Sequence, residues 1–317
     1  MDLSVVVPVY NEKENLESLI HETRAVLDPL GKNYEIIVVD DGSTDESYPV
    51  LQRLHREQPR IKVLRLRRNF GQTAAVAAGL EYARGEIVVP MDGDGQNDPR
   101  DIPALLKKLD EGFDLVGGWR SPRQDPFWTR RLPSAVANSL ISWMTGVKLH
   151  DYGCTLKAIR RELAKDLRLY GEMHRFIPAI AFERGARIAE IKVNHRPRLR
   201  GKSKYGMTRT LRVLLDLLTV KFLLSYSTRP LHIFGLIGAI TGGAGFIIAI
   251  YLSLQKLLYA AEIGGRPLLL LGVLLIVIGF QFISMGLLGE MLARTYHESQ
   301  NKPIYAVKEI LDERKES

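Results

Sequence analysis

Apolar residues are concentrated in two long runs near the end of the chain, roughly at residues 231–254 and 268–288. Each run has the length that a helix needs to cross about 30 Å of hydrocarbon at a rise of about 1.5 Å per residue. Only three charged side chains fall between residues 231 and 289, which disfavours a pair of buried helices in a soluble protein. Because neither run is N-terminal, the pattern predicts two transmembrane helices within residues 231–290 rather than a signal peptide.

The first 205 residues have a different pattern, in which short apolar runs alternate with helical periodicity. The apolar runs predict β-strands buried on both faces at residues 3–7, 35–39, 61–66, 86–91 and 114–118. Helices are expected between them at residues 14–27, 45–57, 72–83 and 101–109. Repeated βαβ units predict an α/β domain with a doubly wound, mostly parallel sheet, whose ligands bind beyond the carboxyl ends of the strands.

A basic segment joins these two regions. Residues 184–212 hold ten lysines and arginines against one acidic residue, Glu190. Nucleic-acid binding is one explanation of such a run, but it leads into residues 208–224, where polar residues share one helical stripe and leucines line the other. This pattern predicts a juxtamembrane amphipathic helix within residues 206–230 that lies on anionic lipid, although a helix facing a soluble core has the same stripe.

The distribution of charge determines the expected topology. Residues 1–230 hold 37 lysines and arginines against 29 aspartates and glutamates, which accounts for the whole net charge of +8. The loop between the apolar runs has only Lys256 and Arg266 as cations. The positive-inside tendency therefore predicts that the N-terminal block and the tail at 291–317 are cytoplasmic. The single cysteine excludes a disulfide framework and fits this reducing compartment.

Polar residues cluster where the predicted strands end. The first strand runs into Pro-Val-Tyr-Asn-Glu at 8–12, the second into Asp-Asp-Gly-Ser at 40–43 and the fourth into Asp-Gly-Asp-Gly-Gln at 92–96. No G-x-G-x-x-G follows a strand and no G-x-x-x-x-G-K-[ST] is present, which disfavours a Rossmann site and a P-loop. Acidic loops repel a diphosphate unless a divalent cation lies between them, so the pattern favours a metal–nucleotide site.

The loop after the fourth strand is the best candidate for that metal. Asp92 and Asp94 are separated by a single glycine, and Gln96 adds a neutral oxygen ligand. Hard oxygen ligands select Mg²⁺ or Mn²⁺ over zinc. An EF-hand is excluded, because its loop requires glycine at position six and glutamate at position twelve, where this chain has Asn97 and Pro103. The remaining alternative is a turn that is simply rich in aspartate and glycine.

Several motifs together resemble one family of enzymes. VVVPVYNE, VVDDGSTD, RNFGQ and MDGDGQNDP resemble family 2 glycosyltransferases of the GT-A fold. HDYGC, HRFIP, R-x-x-G-x-SKY, the two apolar runs and NKPIYAV resemble the polyisoprenyl-phosphate glycosyltransferases, a subgroup that includes dolichol-phosphate-mannose-synthase-like enzymes. The resemblance covers nearly the whole chain. It implies metal-dependent, inverting transfer of a sugar from a nucleotide sugar to undecaprenyl or dolichyl phosphate at the cytoplasmic face of the inner membrane.

The resemblance also implies roles for individual residues. The nucleotide would be bound by Pro8, Tyr10, Asn11, Glu12, Asp41, Asp92 and Gly93. Mg²⁺ or Mn²⁺ would be bound by Asp92, Asp94 and Gln96. The acceptor phosphate or the diphosphate would be bound by Arg120, Arg130, Ser134, Arg198, Ser203 and Lys204. Arginine suits a phosphate because its guanidinium makes bidentate contacts.

Asp151 matches the position of the family's candidate general base. The nucleophile, however, is a phosphate monoester whose second pKa is ~6, so it is mostly dianionic at pH 7 and little proton removal is required. We therefore predict that Asp151 orients the acceptor or the donor sugar as much as it acts as a base. A cap of the turn beside Gly153 is the alternative role for this carboxylate.

The motifs leave the donor and some competing functions open. UDP-glucose is the preferred donor, with GDP-mannose and modified UDP-sugars as alternatives. A processive polysaccharide synthase is disfavoured because Q-x-x-R-W does not follow Asp151. A non-catalytic membrane protein that binds nucleotide sugars or assists lipid translocation is the alternative from a different class. The expected partners are a nucleotide sugar, a polyprenyl phosphate and anionic lipid but no nucleic acid, and a homo-oligomer is neither required nor excluded.

Overall fold

The structure is a computed structural model that describes residues 1–121, 142, 146–167, 169, 173–196, 230–259, 262, 266–299 and 304–312. The amphipathic stretch predicted at residues 208–224 lies outside the described residues. So do five of the predicted site residues, namely Arg130, Ser134, Arg198, Ser203 and Lys204. The chain divides into two compact units, one comprising Met1–Val220 with Pro303–Ser317 and the other Lys221–Lys302.

In the described part of the first unit, eight strands form one mixed sheet. The strands are β1 (Leu3–Val9), β2 (Tyr34–Asp40), β3 (Ile61–Leu66), β4 (Ile87–Pro90), β5 (Leu115–Arg120), β6 (Lys157–Arg160), β7 (Ile188–Val193) and β8 (Val307–Leu311). Their order is β7-β5-β6-β4-β1-β2-β3-β8. The pairs β1/β2, β1/β4, β2/β3 and β5/β7 are parallel, and β4/β6, β5/β6 and β3/β8 are antiparallel. This confirms the predicted α/β fold with a mostly parallel sheet.

The helices of the first unit follow the predicted alternation. Those in the described residues are α1 (Lys13–Leu27), α2 (Ser47–Glu57), α3 (Gln72–Tyr82), α4 (Ile102–Asp110), α5 (Arg161–Asp166) and α6 (Ile177–Glu183), with 3₁₀ turns at Asp28–Leu30, Pro99–Asp101 and Met173–Phe176. The first four helices begin and end within two residues of the predicted bounds. Strands β1 and β2 are buried along their whole length, as their continuous apolar sequence requires in the centre of a parallel sheet.

The tail of the chain returns to this sheet, which the sequence pattern does not predict. Strand β8 pairs antiparallel with β3 and covers an edge that otherwise exposes unpaired backbone groups. The Asp312 carboxylate lies 3.3 Å from Lys62 Nζ and 2.7 Å from Arg84 Nη2. The Tyr305 hydroxyl donates a hydrogen bond to the Glu81 carboxylate. Strand pairing and ion pairs together attach the tail to the first unit.

The second unit contains two long apolar helices, α7 (Pro230–Tyr259) and α8 (Pro267–Ser299). Their apolar parts have mean hydropathies of 1.9 and 2.6, and only 17% and 11% of these segments is buried. Helices in the core of a soluble protein are mostly buried, so this exposure favours helices that could span a membrane. The prediction of two apolar helices is confirmed.

Glycine residues form the contact between these two helices. A Cβ on Gly238 would lie 2.6 Å from the carbonyl oxygen of Gly279, and one on Gly245 would lie 2.7 Å from that of Gly272. Contacts this close are tolerated only without side chains, which is the usual reason for small residues at transmembrane helix interfaces. The G-x-x-x-G pattern at 238 and 242 is therefore part of a packing face.

Candidate active site

The acidic motifs of the sequence meet at one edge of the sheet. Strands β4, β1 and β2 are neighbours and run parallel, so their carboxyl ends point to the same side, where ligands bind in folds of this type. The segments beyond β2 and β4 are both attached to β1. The Asp41 N–H donates to the Val9 carbonyl at 2.8 Å, and the Met91 N–H donates to the Val6 carbonyl at 2.9 Å.

Asn11 joins the loop after β1 to the loop after β2. Its side-chain oxygen accepts hydrogen bonds from the backbone N–H groups of Thr44, at 2.8 Å, and Asp45, at 3.3 Å. Its own N–H donates to Ser43 Oγ at 3.0 Å. Asn11 has a φ of 55°, a left-handed conformation that asparagine adopts more readily than most residues. The structure thus gives Asn11 a role in shaping the loop, and its predicted contact with the nucleotide stays a prediction.

The other residues of the first motif lie close to the acidic loop or to α1. Pro8 is buried within β1, and Tyr10 is half-buried just beyond it. A Cβ on Gly93 would lie 2.9 Å from the Pro8 carbonyl oxygen, so position 93 has room only for glycine. The Glu12 carboxylate accepts a hydrogen bond from Asn15 Nδ2 at 2.8 Å. Pro8 and Gly93, both predicted nucleotide contacts, are therefore in direct proximity.

Asp41 is 3% exposed and holds the turn that begins the RNFGQ motif. Its Oδ1 accepts a hydrogen bond from the Phe70 N–H at 2.7 Å, and its Oδ2 accepts one from the Gly71 N–H at 2.9 Å. Burial raises the pKa of Asp41, and these two donors offset part of that rise. Both oxygens are thus already hydrogen-bonded within the protein, and the predicted contact with the base or ribose would use their remaining lone pairs.

Asp92 and Asp94 are held in a tight acidic loop. Asp92 Oδ1 accepts a hydrogen bond from Gln72 Nε2 at 2.7 Å, and the Asp92 N–H donates to Asn97 Oδ1 at 3.0 Å. Asp94 Oδ1 accepts a hydrogen bond from the Gln96 N–H at 3.1 Å. Burial and the neighbouring charge of Asp94 raise the pKa of Asp92 to about 6. Two neighbouring carboxylates repel each other when both are ionised. A bound cation would stabilise the ionised form of both.

The side chains of this loop fit a divalent cation that shares its ligands with a substrate. Among the described residues, no group of three or more His, Cys, Asp or Glu side chains could hold a metal. Asp92 and Asp94 would therefore supply two carboxylates, and Gln96, water and phosphate oxygens would complete the shell. Mg²⁺ is commonly bound in this way, through one or two carboxylates and the phosphates of its substrate.

Asp151, which is buried, forms a bidentate ion pair with the half-buried Arg120 at the end of β5. Arg120 Nε lies 2.6 Å from Asp151 Oδ2, and Arg120 Nη2 lies 2.9 Å from Asp151 Oδ1. The Asp151 side chain is 1% exposed, and its Oδ1 also accepts the Gly153 N–H at 3.1 Å. Burial lowers the pKa of Arg120, but hydrogen bonding and attraction to Asp151 outweigh it and raise the pKa above its ordinary value. The predicted base and a predicted phosphate ligand are thus partners.

Glu190, in β7, holds the segment before Asp151, and the sequence analysis did not identify it as a site residue. Its carboxylate accepts hydrogen bonds from the Asp151 N–H at 2.9 Å and the His150 N–H at 3.0 Å, and lies 2.8 Å from His150 Nδ1. The His150 ring stacks on Trp119 with 4.1 Å between ring centroids. The Asp151 backbone is therefore fixed from β7, while its carboxylate is fixed from β5.

A buried cation, Lys157, lies in β6, and its charge interacts with those of Asp92 and Asp151. Lys157 is 2% exposed and donates a hydrogen bond to the Cys154 carbonyl. Burial lowers the pKa of Lys157, and the charges of Asp151 and Asp92 act in the opposite direction. Burial raises the pKa of the Cys154 thiol to about 11, which agrees with the absence of any sign of a reactive thiol in the sequence.

Several residues of this site could not be recognised from the sequence. Gln72 and Glu190 contact the predicted residues from elements that are distant in sequence, and the charge of Lys157 acts on Asp92. His174, which the sequence leaves open as an acceptor-side or a structural residue, is buried and its Nδ1 lies 2.7 Å from Thr73 Oγ1. No short motif links these partners, and the only signal available was that RNFGQ and HRFIP recur in the family resemblance.

A mixed α/β sheet with an acidic D-x-D loop beyond a central strand defines a glycosyltransferase of the GT-A type. The chain belongs to glycosyl transferase family 2, whose model matches residues 4–168. The predicted family resemblance is confirmed.

Proteins similar over the whole chain have related names. The dodecaprenyl-phosphate galacturonate synthase of Rhizobium johnstonii is 44% identical over 321 residues, covering 100% of this chain and 95% of that protein. The undecaprenyl-phosphate 4-deoxy-4-formamido-L-arabinose transferase of Shewanella sediminis is 39% identical over 311 residues, covering 98% of this chain and 92% of that protein.

A solved structure supports the fold. Glucosyl-3-phosphoglycerate synthase from Mycobacterium tuberculosis, in complex with Mn²⁺ and UDP-glucose, aligns with a TM-score of 0.55 and 24% identity. The alignment covers 69% of this chain and 78% of that structure. At this level of identity the similarity concerns the fold alone.

Proposed function

We propose that this glycosyltransferase transfers a sugar from a nucleotide-sugar donor to a polyprenyl phosphate, with inversion, at the cytoplasmic face of the membrane. The observation that carries the proposal is that the Asp92–Asp94 loop and the Arg120–Asp151 ion pair lie at the carboxyl ends of β4 and β5, which run in the same direction in one sheet, so that their charges act on one another. The first pair suits a metal–diphosphate, and the second suits the acceptor phosphate. Similarity over the whole chain to two transferases named for polyprenyl phosphates supports the choice of acceptor.

The donor side of the reaction would use the edge formed by β1, β2 and β4. Asp92, Asp94 and Gln96 would hold Mg²⁺ or Mn²⁺, which, when bound, stabilises the charge that develops on the departing nucleoside diphosphate. Gly93 would hold the acidic loop close against β1, because any side chain at this position would collide with the Pro8 carbonyl oxygen. Pro8, Tyr10, Asn11, Glu12 and Asp41 would surround the nucleoside.

The acceptor side would rely on positioning rather than proton transfer. A phosphate monoester is already mostly dianionic at pH 7, because its second pKa is ~6. Arg120 binds Asp151 through Nε and Nη2, and its remaining N–H groups would bind the acceptor phosphate. Asp151 would therefore orient Arg120, and its predicted role in orienting the acceptor or the donor sugar stays a prediction. Arg130, Ser134, Arg198, Ser203 and Lys204 stay predicted acceptor ligands.

The proposed topology has two membrane passes. Strand β8 belongs to the same sheet as β1, although both apolar helices lie between them in the sequence. A sheet cannot be divided by a membrane, so the catalytic residues and the tail lie on one side and the helices cross an even number of times. The basic charge of residues 1–230 supports the cytoplasmic side.

For the donor we propose UDP-glucose, the preference that the sequence analysis reached. Galacturonate is a second candidate sugar, because the relative named for it is 44% identical over the whole chain. The sugar 4-deoxy-4-formamido-L-arabinose and GDP-mannose complete the set that a donor panel has to separate.

The test uses the purified full-length chain, undecaprenyl phosphate and a panel of labelled nucleotide sugars, with Mg²⁺, Mn²⁺ or EDTA. We expect a chloroform-soluble labelled product with one donor, formed only with a divalent cation. A product with another donor would correct the sugar but keep the reaction. If no donor gave a lipid-linked product under any of these conditions, the proposed transferase function would be wrong and a non-catalytic binding protein would be favoured.

A further inference from the structure

We infer that Gln72 is a positioning residue for the metal site, acting through the carboxylate of Asp92. This inference rests on the proposed function, because it concerns the cation that would bind Asp92 and Asp94. No feature of the sequence connects Gln72 with that loop, which follows a different strand twenty residues later. The connection is made by the structure alone.

The contact itself is short and well directed. Gln72 Nε2 donates a hydrogen bond to Asp92 Oδ1 at 2.7 Å. Because one carboxylate oxygen is tied to a fixed donor, rotation of the Asp92 side chain is restricted, and its other lone pairs keep one orientation. Partners of this kind, which orient a metal-binding side chain without touching the metal, are commonly as important to affinity as the ligands themselves.

The position of Gln72 is set by its two neighbours. Gly71, with a φ of 95°, donates its N–H to Asp41 Oδ2 at 2.9 Å, so the start of α3 is attached to the end of β2. Thr73 Oγ1 lies 2.7 Å from His174 Nδ1, so the next residue is attached to the Met173–Phe176 turn. Three consecutive residues thus contact three different segments of the site, and the Gln72 amide has little freedom to drift from Asp92.

The chemistry of glutamine suits this position better than that of a cation. Arg120 and Lys157 already place positive charge near Asp92, and each further charge would compete with a divalent ion for the carboxylate. The Gln72 amide donates a hydrogen bond but carries no charge. It therefore orients Asp92 while the negative charge of the Asp92–Asp94 pair stays available to the cation.

The experiment measures Mn²⁺ binding directly, by electron paramagnetic resonance of free Mn²⁺ titrated into the full-length protein with saturating UDP. Gln72→Met removes the donor and keeps the length of the side chain, and Gln72→Ala is a second variant in case the first is poorly folded. We expect Mn²⁺ affinity to fall roughly 10- to 100-fold in either variant, the usual effect of losing such a partner. Gln58→Met, at the end of α2, is the matched control and should leave the affinity unchanged.

A kinetic measurement separates positioning from a general structural role. In Gln72→Met the Mn²⁺ concentration for half-maximal activity should rise by the same factor, while kcat at saturating Mn²⁺ stays within about threefold of the unmodified protein. Unchanged Mn²⁺ affinity in both variants, with normal binding by the unmodified protein, would overturn the role of Gln72 alone. If the unmodified protein bound Mn²⁺ neither with UDP nor with GDP, the metal-dependent function would be overturned and this role with it.

Discussion

The two halves of the candidate site are built from different interactions. On the donor side, Asp41 and Asp92 are held by neutral donors, namely backbone N–H groups and the Gln72 amide. On the acceptor side, Asp151 is held by the guanidinium of Arg120 in an ion pair. A neutral donor orients a carboxylate without neutralising its negative charge, which stays available to a ligand. In an ion pair, the cationic partner neutralises that charge. This difference suggests that the donor side is made to receive a cation and the acceptor side to present one.

The Arg120–Asp151 ion pair should give the largest effect on stability. Asp151→Leu leaves the half-buried Arg120 guanidinium without its partner, and breaking a buried pair typically costs about 3–5 kcal/mol. We expect a marked fall in the melting temperature of the detergent-solubilised protein. The double variant Arg120→Met with Asp151→Leu should recover most of this loss, since it buries no unpaired charge. A single variant that costs less than about 1 kcal/mol would contradict the pairing.

A substitution in the proposed metal site should reduce the activity of the protein without reducing its stability. Asp94→Asn removes one of the two charges that the cation requires, so we expect roughly 100-fold slower transfer, equivalent to about 3 kcal/mol in the barrier. The melting temperature without metal should hardly change, because the oxygen of an asparagine side chain can still accept the hydrogen bond from the Gln96 N–H within this loop. Asp110→Asn, at the exposed end of α4, is the control. Equal activity of Asp94→Asn and Asp110→Asn would show that Asp94 is not part of the active site.

The tail offers a second ion-paired carboxylate, one of whose two cationic partners, Arg84, is 38% exposed. Asp312 is 11% exposed and bonds to Lys62, which is 6% exposed, and to Arg84. We expect Asp312→Asn to cost about 1–3 kcal/mol, as for other hydrogen bonds to charged groups. Glu111→Gln breaks the more exposed pair with Lys108 and should cost under about 0.5 kcal/mol. Similar losses in both variants, measured by thermal unfolding, would show that burial does not set the ranking.

A further effect should appear as a pH dependence. The pKa of Asp92 is about 6 in the folded protein, above its unfolded value of ~3.9, so the folded state binds more protons between these values. Without metal, the stability contributed by Asp92 is therefore greatest at low pH and is lost as pH rises through about 6. The melting temperature of Asp92→Asn relative to the unmodified protein should rise across this range. If the difference in melting temperature between the two proteins did not change with pH, the environment of Asp92 would be more polar than a pKa of about 6 requires.

Much of the fold follows from local patterns because the central strands are continuous apolar runs. Strands β1, β2 and β3 and helices α1 to α4 lie close to their predicted bounds for this reason. Strands β6, β7 and β8 were missed because they are short and carry charged residues, such as Lys157, Glu190 and Glu309, and because the strands they pair with lie far away in sequence. The sequence of a strand does not indicate which remote strand it pairs with.

The site was predictable to the same extent. Asp41, Asp92 and Asp94 could be found because they follow apolar strands, and parallel strands bring their ends together. Three contacts could not be predicted: the Arg120–Asp151 pair, the Gln72–Asp92 contact and the contact of the Glu190 carboxylate with the segment before Asp151. Each joins two segments that are remote in sequence, and the number of residues between two segments does not determine their distance in space.

The sequence by itself determined that this protein has an α/β domain with acidic strand ends, two apolar helices and the motifs of a glycosyltransferase family. These are properties of local composition and periodicity, which depend only on neighbouring residues. Only the tertiary structure decided which groups share each carboxylate, that the tail completes the sheet, and that glycines form the contact between the apolar helices. Those outcomes depend on distances between remote segments, and burial makes each of them energetically important.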